Sequence, residues 1–146
     1  MLYFDTSFLT PLILQEATSA KVERFMAGLP AAELAISHWT RVEFSSLLAR
    51  EVRMGGLKNQ RAGEADAQFE AIVKESFVVF LPDASDFDLA KRFLGTRETG
   101  LRAGDALHLA IASAHRAEAI YTLDKTLLKA GKALGLPMST GIRIGS

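Results

Sequence analysis

The stretch DALHLAIASAHRAEAIYTLDKTLLKAGKAL, residues 105–134, decides the fold class. From Asp105 to Arg116 the residues are apolar on nearly every side, which predicts a central helix rather than a surface one. Ala119 to Leu123 is a short apolar run that predicts a strand, and Lys125 to Leu134 predicts the helix that follows it. The same alternation continues toward the N-terminus. Phe77-Val78-Val79-Phe80-Leu81, ended by Pro82, predicts a buried strand. After it, Ser85 and Asp88 predict the capping pair of a helix that holds Phe87, Ala90, Phe93 and Leu94 and stops at Gly95. Before it, one helix carries Ala62, Ala65, Phe69, Ile72 and Val73 on one face, and another runs from His38 to Met54 and stops at Gly55-Gly56. Glu33 to Ser37 predicts a short strand, Ser19 a helix cap, and Ser7 to Gln15 a helix with Pro11 early in it. Leu2-Tyr3-Phe4 predicts the opening strand. Strands alternating with helices imply a parallel sheet with helices on both faces, an α/β fold.

Composition narrows the function. The chain has 146 residues, 49% of them apolar, and its 17 Lys plus Arg balance 17 Asp plus Glu. That length predicts one domain, residues 1–146. The absence of cysteine excludes a disulfide scaffold, a thiolate zinc site, an iron–sulfur cluster and a cysteine nucleophile. Neutrality argues against a protein whose whole surface attracts phosphate. Asp5 interrupts the first apolar residues, and Phe8 to Leu14 is too short to cross a bilayer, so the expectation is a cytoplasmic protein with no membrane partner. Neither a glycine-rich dinucleotide loop nor a P-loop is present, and the three histidines lack the spacing of a metal helix.

The informative residues are four acids. Asp5 and Asp124 fall at the carboxyl ends of predicted strands, which parallel pairing places on one sheet edge, the edge where α/β proteins bind ligands. Asp105 opens the most apolar helix. Glu43 stands on a stripe with Trp39 and Leu47, four residues apart, which predicts a carboxylate facing the core. Each aspartate taken singly also reads as a helix cap, and Glu43 as a side chain reaching past its stripe to water. Together they suggest a site. Carboxylates that share a small volume repel, and at least one takes up a proton unless a cation holds them. Mg²⁺ or Mn²⁺, hard ions that prefer oxygen ligands, suit that role and suit phosphoryl chemistry.

At this point the chain resembles the PIN-domain ribonucleases, and within them the VapC-type toxins of toxin–antitoxin pairs. The matching residues are Leu2-Tyr3-Phe4-Asp5-Thr6-Ser7, the Glu43 helix, Leu101-Arg102-Ala103-Gly104-Asp105-Ala106-Leu107-His108-Leu109-Ala110, and Tyr121-Thr122-Leu123-Asp124, in order along essentially the whole sequence. The resemblance implies a three-layer αβα sandwich on a parallel sheet of about five strands, the fifth supplied by Met138 to Ile144. It implies that Asp5, Glu43, Asp105 and Asp124 line an acidic Mg²⁺ or Mn²⁺ pocket and are the catalytic and metal-binding residues. Hydrolysis of RNA phosphodiester bonds follows, with Thr6 and Ser7 near the scissile phosphate and Thr122 orienting Asp124. Separately, among basic residues that also read as solvated helix faces, Arg102 is nearest in sequence to Asp105 and is the expected phosphate contact. A small antitoxin protein and a second copy of the chain are the implied partners.

Two other readings of the same sequence are a free-standing PIN ribonuclease and a PIN-like module that binds without catalysis. A receiver-like phosphate-binding domain would need an acidic pair at the end of the first strand, where only Asp5 stands. With the four acids assigned to a pocket, 13 acids remain against 17 bases. The remainder is uneven. Residues 62–88 hold seven acids and one base, whereas residues 89–146 hold nine bases and four acids. Overall neutrality therefore does not exclude a phosphate-bearing substrate.

Overall fold

Strand β1, Leu2–Phe4, lies at the centre of the molecule, and its three residues already show the period of two that organises the rest. Phe4 points into one apolar cluster and Tyr3 into another on the opposite side of the sheet. Strand β2, Leu34–Ser37, repeats the division, with Leu34 and Ile36 on the side of Phe4 and Ala35 on the side of Tyr3. The computed structural model describes residues 1–30 and 33–144. Five parallel strands form one sheet in the order β3-β2-β1-β4-β5, where β3 is Val78–Phe80, β4 is Ala119–Tyr121 and β5 is Met138–Ser139.

Parallel strands need helical crossovers, and the direction in which the chain moves across the sheet decides which face each crossover covers. From β1 through β2 to β3 the connections are α1 (Thr6–Leu9), α2 (Ser19–Ala27), α3 (His38–Arg53) and α4 (Asn59–Ser76), and they supply the cluster of Phe8, Val22, Phe44 and Phe69. From β3 through β4 to β5 they are α5 (Ala84–Leu94), α6 (Ala103–Ala114) and α7 (Lys125–Ala133), with Leu107, Leu109, Ile111 and Leu127 packed on the other face. The result is the three-layer αβα sandwich. Residues Ala106 to Ala112 of α6 are all buried, as the unbroken apolar sequence predicts for a central helix. No helix among the described residues is long and apolar enough to cross a membrane.

Several local expectations are corrected. The predicted helix from Ser7 to Gln15 is a single α-turn, α1, followed by a 3-10 turn over Thr10–Leu12. Pro11 has no N–H to return to Ser7, so the helix tightens instead of continuing. The run Phe77 to Leu81 is an edge strand rather than a buried one, with Val78 53% and Leu81 75% exposed. Apolar content suggested burial, but position at the sheet edge is a tertiary fact. Helix α5 is capped by Asp83 in a reciprocal box with Asp86, not by Ser85 and Asp88. Helix α6 starts at Ala103, two residues before the expected start, with Arg102 at the cap position, so Asp105 is its third residue and not its cap. Strand β5 ends at Ser139, since the Ile142 N–H turns back to the Thr140 carbonyl and breaks the extended run predicted to Ile144.

Candidate active site

The sheet order creates one point where successive crossovers leave in opposite directions, between β1 and β4, and the carboxyl ends of those strands open the crevice of the fold. Asp5 follows β1 directly, and its backbone N–H donates to the Tyr121 carbonyl at 3.1 Å. Although Asp5 holds the cap position of α1, its side chain makes no cap bond. It accepts instead from the Ser7 hydroxyl at 2.8 Å. Ser7 Oγ also accepts the Leu123 N–H at 3.0 Å and lies 3.2 Å from Thr122 Oγ1, so one serine ties the ends of both central strands together.

Asp124 sits beyond β4 with its backbone N–H bonded to Thr122 Oγ1 at 3.0 Å. Its Oδ1 caps α7 by accepting the N–H groups of Thr126 at 2.8 Å and Leu127 at 3.2 Å. Asp124 is therefore a helix cap that also lines the cleft.

Glu43 comes from α3. The buried stripe of that helix is Thr40, Phe44 and Leu48, one residue round from the predicted one. The stripe of Trp39, Glu43 and Leu47 is half-buried and lines the cleft instead of the core. A helix at the end of a sheet has two apolar-looking faces, one on the core and one on the crevice, and spacing alone does not separate them. Glu43 Oε1 accepts from Thr6 Oγ1 at 2.6 Å and from His108 Nε2. Its Oε2 faces α6, where Gly104 leaves it room. A Cβ at that glycine would lie 3.0 Å from Oε2 and 3.2 Å from the Trp39 ring. With a side chain there, the Glu43 carboxylate and the Trp39 ring would each have to give by a few tenths of an ångström.

Asp5, Glu43, Asp105 and Asp124 thus line a single cleft of about 550 Å³, together with Thr6, Ser7, Trp39 and Arg50. Sequence reasoning missed Arg50 as a site residue, although it is seven positions from Glu43 and therefore two turns along the same face. Arg102 is exposed beside the cleft and does not line it. The hydroxyls of Thr6 and Ser7 are engaged with Glu43 and Asp5, so they hold carboxylates in place.

The charges in the cleft strain against one another. Burial pushes Asp5 up to about 6, despite the opposing effects of His108 and the Ser7 hydroxyl. Asp105 is also raised to about 6, by burial first and then by the charges of Asp124 and Glu43. Glu43 moves the other way. Its burial is outweighed by the His108 and Thr6 hydrogen bonds, which hold it below the usual carboxylate range. Among the described residues, no three carboxylate or imidazole groups converge closely enough to grip an ion as they stand. One oxygen of Glu43 is held by Thr6 and His108, and one of Asp124 is held by α7. The Nε1 of Trp39 is buried on the wall that Glu43 shares; it makes no hydrogen bond of full geometry among the described residues, yet it is near enough to Glu43 to help hold that carboxylate low.

Comparison with known proteins agrees with this architecture. The model of the PIN domain family matches residues 2–133. VapC20 of Mycobacterium tuberculosis, described as a sarcin-ricin loop cleaving toxin, is 21% identical with a TM-score of 0.70, over 93% of this chain and 96% of that one. FitAcB from Neisseria gonorrhoeae is 15% identical with a TM-score of 0.67, over 97% and 98%. VapBC-1 from nontypeable Haemophilus influenzae is 17% identical with a TM-score of 0.66, over 97% and 98%. At these identities the solved structures establish a common fold. No curated protein matches the sequence.

Proposed function

The chain belongs to the PIN domain family, and from that premise we propose that it is a metal-dependent endoribonuclease, the toxin of a toxin–antitoxin pair. The observation that carries this reading is the convergence of Asp5, Glu43, Asp105 and Asp124 on one cleft at the crevice of the sheet. The likeness to VapC20, itself a toxin that cleaves the sarcin-ricin loop, supports RNA as the substrate class. The folds shared with VapBC-1 and FitAcB support an antitoxin protein as partner of a chain read as a single domain over residues 1–146, and the family resemblance adds a second copy of the chain.

The donor set fits a hard divalent cation. All four groups are carboxylates, and burial with mutual repulsion raises Asp5 and Asp105, a strain that a cation would relieve. Asp5, Glu43 and Asp105 would hold Mg²⁺ or Mn²⁺ through the oxygens not already engaged, with Asp124 contributing through the oxygen its cap leaves free. Bound there, such an ion activates water and stabilises charge on a scissile phosphate. The protein's own part is positional. Ser7 fixes Asp5, Thr6 fixes Glu43, and Thr122 receives the Asp124 backbone N–H. Arg50 on the cleft wall and Arg102 beside Asp105 supply cations for the phosphates of an RNA strand. Thr6 and Ser7 line the same cleft, so a substrate phosphate bound there would lie against them.

Induced expression in a bacterial host, wild type beside Asp105→Asn, tests the reading. The expected result is growth arrest with discrete new RNA 5′ ends in wild type alone, relieved by co-expression of the antitoxin. Arrest without new RNA ends, or equal cleavage in both strains, would reject it.

A further inference from the structure

His108 is the one polar side chain among the buried residues Ala106 to Ala112, and its own exposure is 0%. An imidazole enclosed by apolar neighbours is costly unless both ring nitrogens are satisfied. Here both are. Nδ1 lies 2.8 Å from Tyr3 Oη, and Nε2 is bonded to Glu43 Oε1. The phenol has a single proton, and it points to Ser37 Oγ at 2.9 Å. A carboxylate can only accept, so Nε2–H donates to Glu43, while Nδ1 is engaged with the Tyr3 oxygen. The ring thus ties the phenol to the carboxylate from the buried side.

This network runs from the cap of α3 at Ser37, through Tyr3 on β1 and His108 on α6, back to Glu43 on α3. Ser37 is itself fixed by the reciprocal capping box with Thr40. Glu43 Oε1 consequently receives two donors, His108 and Thr6, which together fix the orientation of the carboxylate. Its other oxygen is turned toward the gap that Gly104 leaves open.

We propose that His108 is a positioning residue of the active site, which clamps Glu43 Oε1 from beneath the cleft so that Oε2 alone is presented to a cation. The inference rests on the metal-nuclease reading and adds to it a residue outside the four acids. A ring that only filled the core would affect stability. A clamp affects what the cleft binds.

Calorimetric titration of Mn²⁺ into wild type, His108→Gln, His108→Asn and His108→Leu separates the two roles, with thermal unfolding in EDTA as the control for folding. Gln reaches toward the carboxylate with a donor, Asn is equally polar but one methylene short, and Leu fills the space with no donor. Wild type and His108→Gln are expected to bind Mn²⁺ within about threefold of each other. His108→Asn and His108→Leu are expected to bind about 10–100-fold more weakly, the usual loss when the group orienting a metal ligand is removed. In RNA cleavage the same two variants lower kcat with little change in KM, because the substrate's phosphate contacts are intact. Should His108→Leu fail to fold, the contrast between Gln and Asn still decides. Folded Asn and Leu variants that take Mn²⁺ as wild type does would overturn the clamp and leave the nuclease reading standing. A wild type that takes no Mn²⁺ would overturn both.

Discussion

Asp5→Asn in metal-free protein is expected to stabilise the fold at neutral pH, which is unusual for a substitution at a buried site. The Asp5 carboxyl is 4% exposed and its pKa is raised from 3.8 to about 6, chiefly by burial. A group whose folded pKa lies above its unfolded value binds its proton more tightly when folded. Stability is therefore lost as pH rises from 3.8 through about 6, and the whole penalty is present at pH 7. A displacement of about two pH units amounts to about 3 kcal/mol. Asn removes the charge and retains an oxygen to accept the Ser7 hydroxyl now bonded at 2.8 Å. Urea unfolding in EDTA at neutral pH should show a gain of up to about 3 kcal/mol, or roughly 6–12 °C in Tm for a domain of this size. Near pH 4 the gain should vanish, because wild-type Asp5 is then protonated in the folded state. A loss of stability at pH 7, or a gain that does not change with pH, would refute the electrostatic account of the cleft.

Three other outcomes follow from the same geometry. Mn²⁺ at about a hundredfold excess over its Kd should raise wild-type stability by about 2.7 kcal/mol, and Asp5→Asn should lose most of that gain in a thermal scan. Gly104→Ala places a methyl 3.0 Å from Glu43 Oε2 and 3.2 Å from the Trp39 ring, so RNA cleavage should fall about tenfold to a hundredfold while Tm moves little. A Tm drop with unchanged specific activity would show that the gap serves packing alone. Raising pH from 6.5 toward 10 should progressively destabilise wild type, because the Tyr3 oxygen and the Glu43 carboxylate outweigh the burial of His108 and lift it to about 10. Urea unfolding of His108→Gln should be flat across that window.

The layers of the fold were legible because each rests on a local pattern. Alternation put Phe4 and Tyr3 on opposite faces of β1, and continuous apolar sequence put α6 in the centre. The site was legible because parallel strands end on one edge, which fixes where Asp5 and Asp124 must lie. What the sequence hid was set by neighbours distant along the chain. The strand of Val78 to Phe80 reads as buried, yet nothing local says it is last in the sheet. Glu43 reads as core-facing, yet the crevice beside β1 gives α3 a second buried-looking side. His108 follows Asp105 by one turn, and that spacing leaves both a place beside the pocket and a core hydrogen bond open. Its link to the cleft exists only because β1 brings Tyr3, and α3 brings Glu43, to its two nitrogens. Overall neutrality concealed the charge distribution in the same way, since five acids, the four read from the sequence and Glu51, line one cleft.

Cleavage of a defined RNA by purified protein, wild type beside Asp105→Asn, with Mn²⁺ or with EDTA, tests the central claim most directly. Asp105 is half-buried and repelled by Asp124 and Glu43, and the amide removes one charge from the cleft without changing its shape. The account predicts cuts by wild type in Mn²⁺ only, with a loss of at least about 100-fold in the variant. Equal cleavage by both proteins, or cleavage by wild type that survives EDTA, would contradict it.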